Sequence, residues 1–213
     1  MTLTQNFLSF NNLFDFNSRM KFPQSPGDFE QFHQEGDLEI PETPGEITAT
    51  NKNNPGTMLV VDGGEDIAWL NPNNAKLSNN TYVTATTAGT PFQTIQSLKA
   101  TNFSFAVPTG ATINGIEVEI ERKGDFNNEM RDKDVKLVIG DAVVGDQATV
   151  KEYQVTERYD VLGSSSDLWG NTISVAQVNA ADFGVNIQAE VFDGGGNNVF
   201  SIDHIRIRVH YST

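Results

Sequence analysis

From Leu98 to Arg122 the chain reads LKATNFSFAVPTGATINGIEVEIER. Ile116, Val118 and Ile120 alternate with Glu117, Glu119 and Glu121. A period of two lays an aliphatic stripe on one face of a strand and a carboxylate stripe on the other. Phe103, Phe105 and Val107 repeat the apolar row ahead of Pro108-Thr109-Gly110, so the stretch predicts two strands joined by a turn. A sheet with one apolar face needs a second layer to cover it.

The rest of the chain supplies candidates for that layer. Strands are expected over residues 57–61, 81–87, 135–139 and 185–191, where Val185, Ile187, Ala189 and Val191 alternate with Asn186, Gln188 and Glu190. A last strand runs over residues 199–211, with shorter ones near 150–155 and 159–162. Residues 124–134 read as a polar loop. Asn71-Pro72-Asn73 reads as a turn, and so does Asp167-Leu168-Trp169-Gly170, with its indole as anchor. Residues 179–182 suggest one helical turn capped by Asn179 or Asp182. Many short strands separated by Gly/Asn/Asp turns, with almost no helix, predict an all-β fold: an antiparallel β-sandwich, with the jelly roll as the preferred topology. No repeat at fixed spacing supports a propeller or solenoid.

Residues 1–45 break this pattern. Seven of the 14 phenylalanines fall here, Phe7, Phe10, Phe14, Phe16, Phe22, Phe29 and Phe32, scattered among polar residues without helical or strand periodicity. Disordered linkers are poor in aromatics. The segment is therefore expected to be an extended arm whose rings lodge in a partner, ahead of a sandwich domain over residues 46–213. Seven buried rings contribute roughly 10–20 kcal/mol at most. Ordering some 40 residues costs about 1–2 kcal/mol each. Such an arm needs backbone pairing to a partner's strand edge, or several arms anchored together in an oligomer.

Charge narrows the function classes. The 213 residues carry 28 acids against 14 Lys and Arg, a formal net charge of -14. That balance repels phosphate backbones, so no nucleic-acid partner is expected. No run approaches the ~20 apolar residues of a membrane span, and the N-terminus lacks a basic start followed by an apolar block. The chain has no cysteine, which removes disulfides and thiolate chemistry.

Candidate chemistry is thin. On the last strand His204, Arg206, Arg208 and His210 face away from Ile205, Ile207 and Val209, and they complement the row Glu117, Glu119, Glu121. Cross-strand charge pairs contribute roughly 0.2–1 kcal/mol each, so the two strands are expected to be neighbours or to meet across a subunit boundary. As catalytic carboxylates the glutamates would need a cleft and a raised pKa; a paired face is the preferred reading. Asp125, Asn127 and Glu129 have the opening spacing of a calcium loop, but Met130 stands where glycine belongs and no Glu closes the loop, so an acidic hairpin loop is preferred. Ser164, Ser165 and Ser166 lack a nucleophile elbow. His204 and His210 lie about 20 Å apart on one strand, too far to share a metal. No cofactor, metal or catalytic residue is assigned. Trp69, Trp169, Tyr82 and Tyr159 could form a sugar platform, but buried core indoles are preferred.

The runs Ala100-Thr101-Asn102-Phe103 and Ile113 to Arg122 resemble a β-sandwich module of tailed-bacteriophage virion proteins. Asp167-Leu168-Trp169-Gly170, Asp182-Phe183-Gly184-Val185 and Ile202-Asp203-His204-Ile205 are similar in kind and order, over roughly residues 66–213. The resemblance implies fold and setting and carries no active-site residues. With the arm, it implies a capsid decoration or cement protein on the virion surface, trimeric, assembled in the host cytoplasm and bound to the major capsid protein. A tail or head-fibre component, or a glycan-binding module for host attachment, is the alternative, and an enzyme ranks last.

Overall fold

The structure is a computed structural model, and it describes residues 46–64, 67–90, 92–126, 129–193 and 196–213. The phenylalanine-rich arm lies outside the described residues. Among the described residues ten strands and one short α-helix follow in order, with a 3-10 turn at Pro72–Ala75 between the second and third strands: β1 (Thr48–Ala49), β2 (Thr57–Val61), β3 (Val83–Thr86), β4 (Ser97–Thr101), β5 (Thr112–Gly124), β6 (Met130–Ile139), β7 (Ala142–Val144), β8 (Arg158–Gly163), α1 (Val175–Val178), β9 (Gly184–Val191) and β10 (Val199–Ser212).

They form two antiparallel sheets. In the first, β10 lies between β5 and the edge strands β1 and β3, and β8 closes the far side; the second runs β2-β4-β9-β6-β7. The orders β3-β10-β5-β8 and β4-β9-β6-β7 are the two four-stranded sheets of a jelly roll, with β1 and β2 added at the margins. The core between them holds the inward residues of both, including Ile116, Val118 and Ile120 of β5, Ile205, Ile207 and Val209 of β10, and Val185, Ile187, Ala189 and Val191 of β9. The period-two pattern reached the right faces because each sheet presents one face to this core.

Leu98 to Arg122 is not a hairpin. β4 belongs to the second sheet and β5 to the first, so the stretch between them crosses the sandwich. Phe103, Phe105 and Val107 are buried there outside any strand. Asn102 and Ser104 between them take positive φ, 61° and 54°. Burial of alternate residues does not require a ladder, and this link shows it. The expected loop over 124–134 is also shorter, because β6 already starts at Met130 and carries a bulge between Asp132 and Asp134. The helical turn falls earlier than expected. Ser174 caps α1 through a capping box with Gln177, and Asn179 stands at its C-cap.

Two devices fix the loops to the core. Trp169 has φ 56° and donates its indole N–H to the Ile116 carbonyl at 3.1 Å. Trp69 does the same toward Gln96 at 2.7 Å. Arg122 lies buried between the sheets, bonded to Asp132 of β6 and, at 2.9 Å, to Asp160 of β8, and stacked over Tyr153. Asp132 is aimed inward by the β6 bulge.

Candidate functional site

The outer face of the first sheet carries the charge rows read from the sequence. β5 and β10 are antiparallel neighbours, with Arg206 opposite Glu119, Arg208 opposite Glu117 and His204 opposite Glu121. Arg206 Nε donates to Glu119 Oε2 at 2.5 Å, and Lys52 bonds the other oxygen. Arg208 is looser, 3.9 Å from Glu117. Burial pushes the Glu119 carboxyl upward, but the bonds from Lys52 and Arg206 outweigh it and hold the group below its ordinary range. Glu119 is thus satisfied by two cations, whereas Glu121 Oε2, Arg208 Nε and His210 Nε2 on the same face are buried without a hydrogen-bond partner.

One corner of it is richer. A bulge in β10 between Ile202 and His204 turns the Asp203 carboxylate outward, where it accepts the backbone N–H groups of Asn79 and Thr81. Glu121, Glu157 and Asp203 each bring an oxygen within 4.8 Å of the others, and among the described residues this is the set that could hold a divalent cation. Lys123 lies 3.4 Å from Glu157 and already supplies positive charge. Tyr82 donates to Glu157 at 2.8 Å, and the Tyr159 hydroxyl meets His204 Nδ1 at 2.9 Å. Burial, with Arg206 nearby, lowers the pKa of His204 below its ordinary value.

The outer face of the second sheet differs in kind. β9 is its central strand, and outward from it point Asn186, Gln188, Glu190 and then Phe192 just beyond the strand end. Asn186 pairs in register with Lys99 of β4 on one side and Lys136 of β6 on the other. Although on an outward face, Asn186 is only 2% exposed, and its Oδ1 is buried without a hydrogen-bond partner. Such an acceptor costs roughly 1–3 kcal/mol when nothing satisfies it. Farther up β9, Glu190 pairs with Arg131 at 2.7 Å, and Arg131 stacks 4.5 Å over the Phe192 ring.

At the Phe192 end the β3–β4, β5–β6 and β9–β10 loops are stitched together. Val191 N–H donates to the Gln93 carbonyl at 2.9 Å, Phe192 N–H to the Glu129 carbonyl at 3.0 Å, and Asn198 Nδ2 to Glu129 Oε2 at 3.1 Å. Val199 N–H donates to Asp125 Oδ1 at 2.8 Å. The candidate calcium ligands Asp125 and Glu129 are thus tied into neighbouring loops, and Asn127 lies outside the described residues. At this end Phe92 is 79% exposed at φ 61°, and Phe126 is 47% exposed. A bulky residue in the left-handed region is strained, and such strain gathers at functional sites.

The structure distributes the other sequence candidates plainly. Trp69 and Trp169 are core residues with satisfied indoles and form no platform. Tyr82 and Tyr159 flank the acidic corner of the first sheet, with Lys123 and Arg206 stacked on their rings. The Asn186 track was not singled out from the sequence. The sequence carried no signal for it, since polar residues alternating with apolar ones are the ordinary pattern of a solvated sheet face.

No family model matches the chain, and no curated protein matches it. Among solved structures it is similar to the CBM22-1 xylan-binding domain of Paenibacillus barcinonensis Xyn10C (TM-score 0.37, 12% identity, 78% of this chain and 96% of that one). It is also similar to a family 29 carbohydrate-binding module (0.33, 13%, 78% and 92%) and to a cyclase from Fischerella sp. TAU (0.41, 12%, 80% and 92%). Carbohydrate-binding β-sandwiches recur among these neighbours, beside an enzyme. At such identities and scores the likeness assigns no ligand and no residue role.

Proposed function

We propose that this chain is a non-catalytic β-sandwich module that binds a polysaccharide along the outward face of β9, from Asn186 to Phe192, with Phe92 exposed at the end of the track. The observation that carries the reading is Asn186, a buried amide on an outer sheet face whose carbonyl has no partner. A sugar hydroxyl is a donor that satisfies such an acceptor once the side chains covering it shift, and hydrogen-bonded loops hold an exposed ring near the same strand end. Sugars bind through this combination of a few fixed polar groups and an aromatic contact.

The test is affinity electrophoresis of the full chain through gels containing soluble polysaccharides. Retardation by at least one of them, lost in Phe92→Ala with the fold intact by circular dichroism, supports the reading. Unretarded migration through every gel contradicts it.

A second reading rests on the opening segment. Seven phenylalanines within residues 1–45 favour an arm that fastens the sandwich to a capsid as a decoration protein. The two readings are separable, since they rest on different parts of the chain. Deleting residues 1–45 should abolish capsid attachment and leave polysaccharide retention unchanged.

A further inference from the structure

We infer that the polysaccharide held on β9 is an acidic one, a chain bearing carboxylate or sulfate groups. This rests on the glycan-binding reading and specifies its ligand.

The inference comes from what stands beside Asn186. Lys99 and Lys136 occupy the flanking strands in register with it, so two lysines border this unsatisfied amide. Their Cα atoms are separated by two strand spacings, about 9.6 Å. Lys99 forms no ion pair among the described residues; its Nζ donates at 2.8 Å to a neutral acceptor, the Asp141 carbonyl. Lys136 pairs with Asp134 at 3.1 Å, a contact that is part-exposed and weakly held. Lys133, on the β6 bulge, is likewise bonded to a neutral group, Thr94 Oγ1, at 2.8 Å. The first sheet contrasts with this, because there Arg206 and Lys52 share Glu119.

The overall charge of -14 does not oppose a local anion site. At physiological salt, fields decay over about 8 Å, so the groups that count are those on the face itself. An anionic sugar placed over this face meets Lys99 and Lys136, whose ammonium groups turn to it from the Asp141 carbonyl and from Asp134. As those lysines move, its hydroxyls reach the buried carbonyl that the protein leaves unpaired, and its charge satisfies the lysines.

Affinity electrophoresis of the full chain against alginate, dextran sulfate and a neutral β-glucan tests this. Retardation by alginate or dextran sulfate above that by β-glucan is expected, and the stronger of the two anionic gels identifies the charged group. Lys99→Gln with Lys136→Gln should weaken it about tenfold or more, and Lys99→Arg with Lys136→Arg should largely restore it. Equal retardation by β-glucan, or an unaffected double glutamine variant, overturns the acidic ligand while leaving glycan binding standing. No retardation in any gel overturns both.

Discussion

Arg122 of β5 and Asp132 of β6 join the two sheets from inside the core: Nη2 donates to Oδ2 at 2.9 Å, and Nη1 bonds the other oxygen. The arginine is 1% exposed, and so is the aspartate. Burial alone would lower the pKa of Arg122, but Tyr153, Asp132 and Asp160 around it raise it, so it stays charged. Breaking such a pair on one side leaves a buried charge uncompensated. Asp132→Asn should therefore destabilise the sandwich by about 3–5 kcal/mol in urea unfolding. A loss below about 1 kcal/mol would show that water or another group reaches Arg122.

On the outer face of the first sheet, the charge of Glu119 is held by Arg206 and Lys52. Because its folded pKa lies below the ordinary 4.5, its contribution is present above that value and lost as pH falls through the folded value. His204 and His210 act in the same direction. Both have folded pKa values below 6.5, with burial the main cause, so unfolded chains bind more protons below that value and stability falls as the pH drops through it. Thermal unfolding should show a falling Tm from pH 7 to pH 4. Reversing Arg206 and Arg208 to Glu should lower stability at pH 7 and shrink the Glu119 part of this slope. An unchanged Tm in the reversed variant would remove the charge rows from the account.

Gly163 ends β8 at φ 74°, and a Cβ there would meet the Ile116 carbonyl at 2.2 Å and the Trp169 indole nitrogen at 2.7 Å. Both are fixed in place by the indole hydrogen bond. Gly163→Ala should cost on the order of 2–3 kcal/mol or more, from backbone strain plus displacement of the ring. Trp169 fluorescence should shift toward the exposed range in the same variant. A variant with wild-type emission and stability would mean that this turn is not anchored by the ring.

Much of the sandwich could be read from alternation. β5, β9 and β10 are long, sit against one core and, between bulges, put every second side chain into it, so their period is legible whatever the topology. What alternation could not give was partnership. Phe103, Phe105 and Val107 imitate a strand while crossing between sheets, because positive φ at Asn102 and Ser104 turns alternate residues inward without a ladder. The inward aim of Asp132 and the outward aim of Asp203 depend on bulges, which slip the register by one residue. The Glu117/Glu119/Glu121 and Arg206/Arg208 rows were legible as patterned charge. Asn186 was legible only as a polar position; its burial and its lysine neighbours come from the pairing of β4, β9 and β6.

The measurement that bears most directly on the β9 track is polysaccharide affinity and thermal stability of the full chain with Asn186→Leu, made side by side. Removing an unsatisfied buried amide for a side chain of like size should leave stability equal or higher, by up to about 1–3 kcal/mol, and abolish retardation in the polysaccharide gel. Lowered stability with undiminished retardation would show that Asn186 serves the fold and that the glycan lies elsewhere.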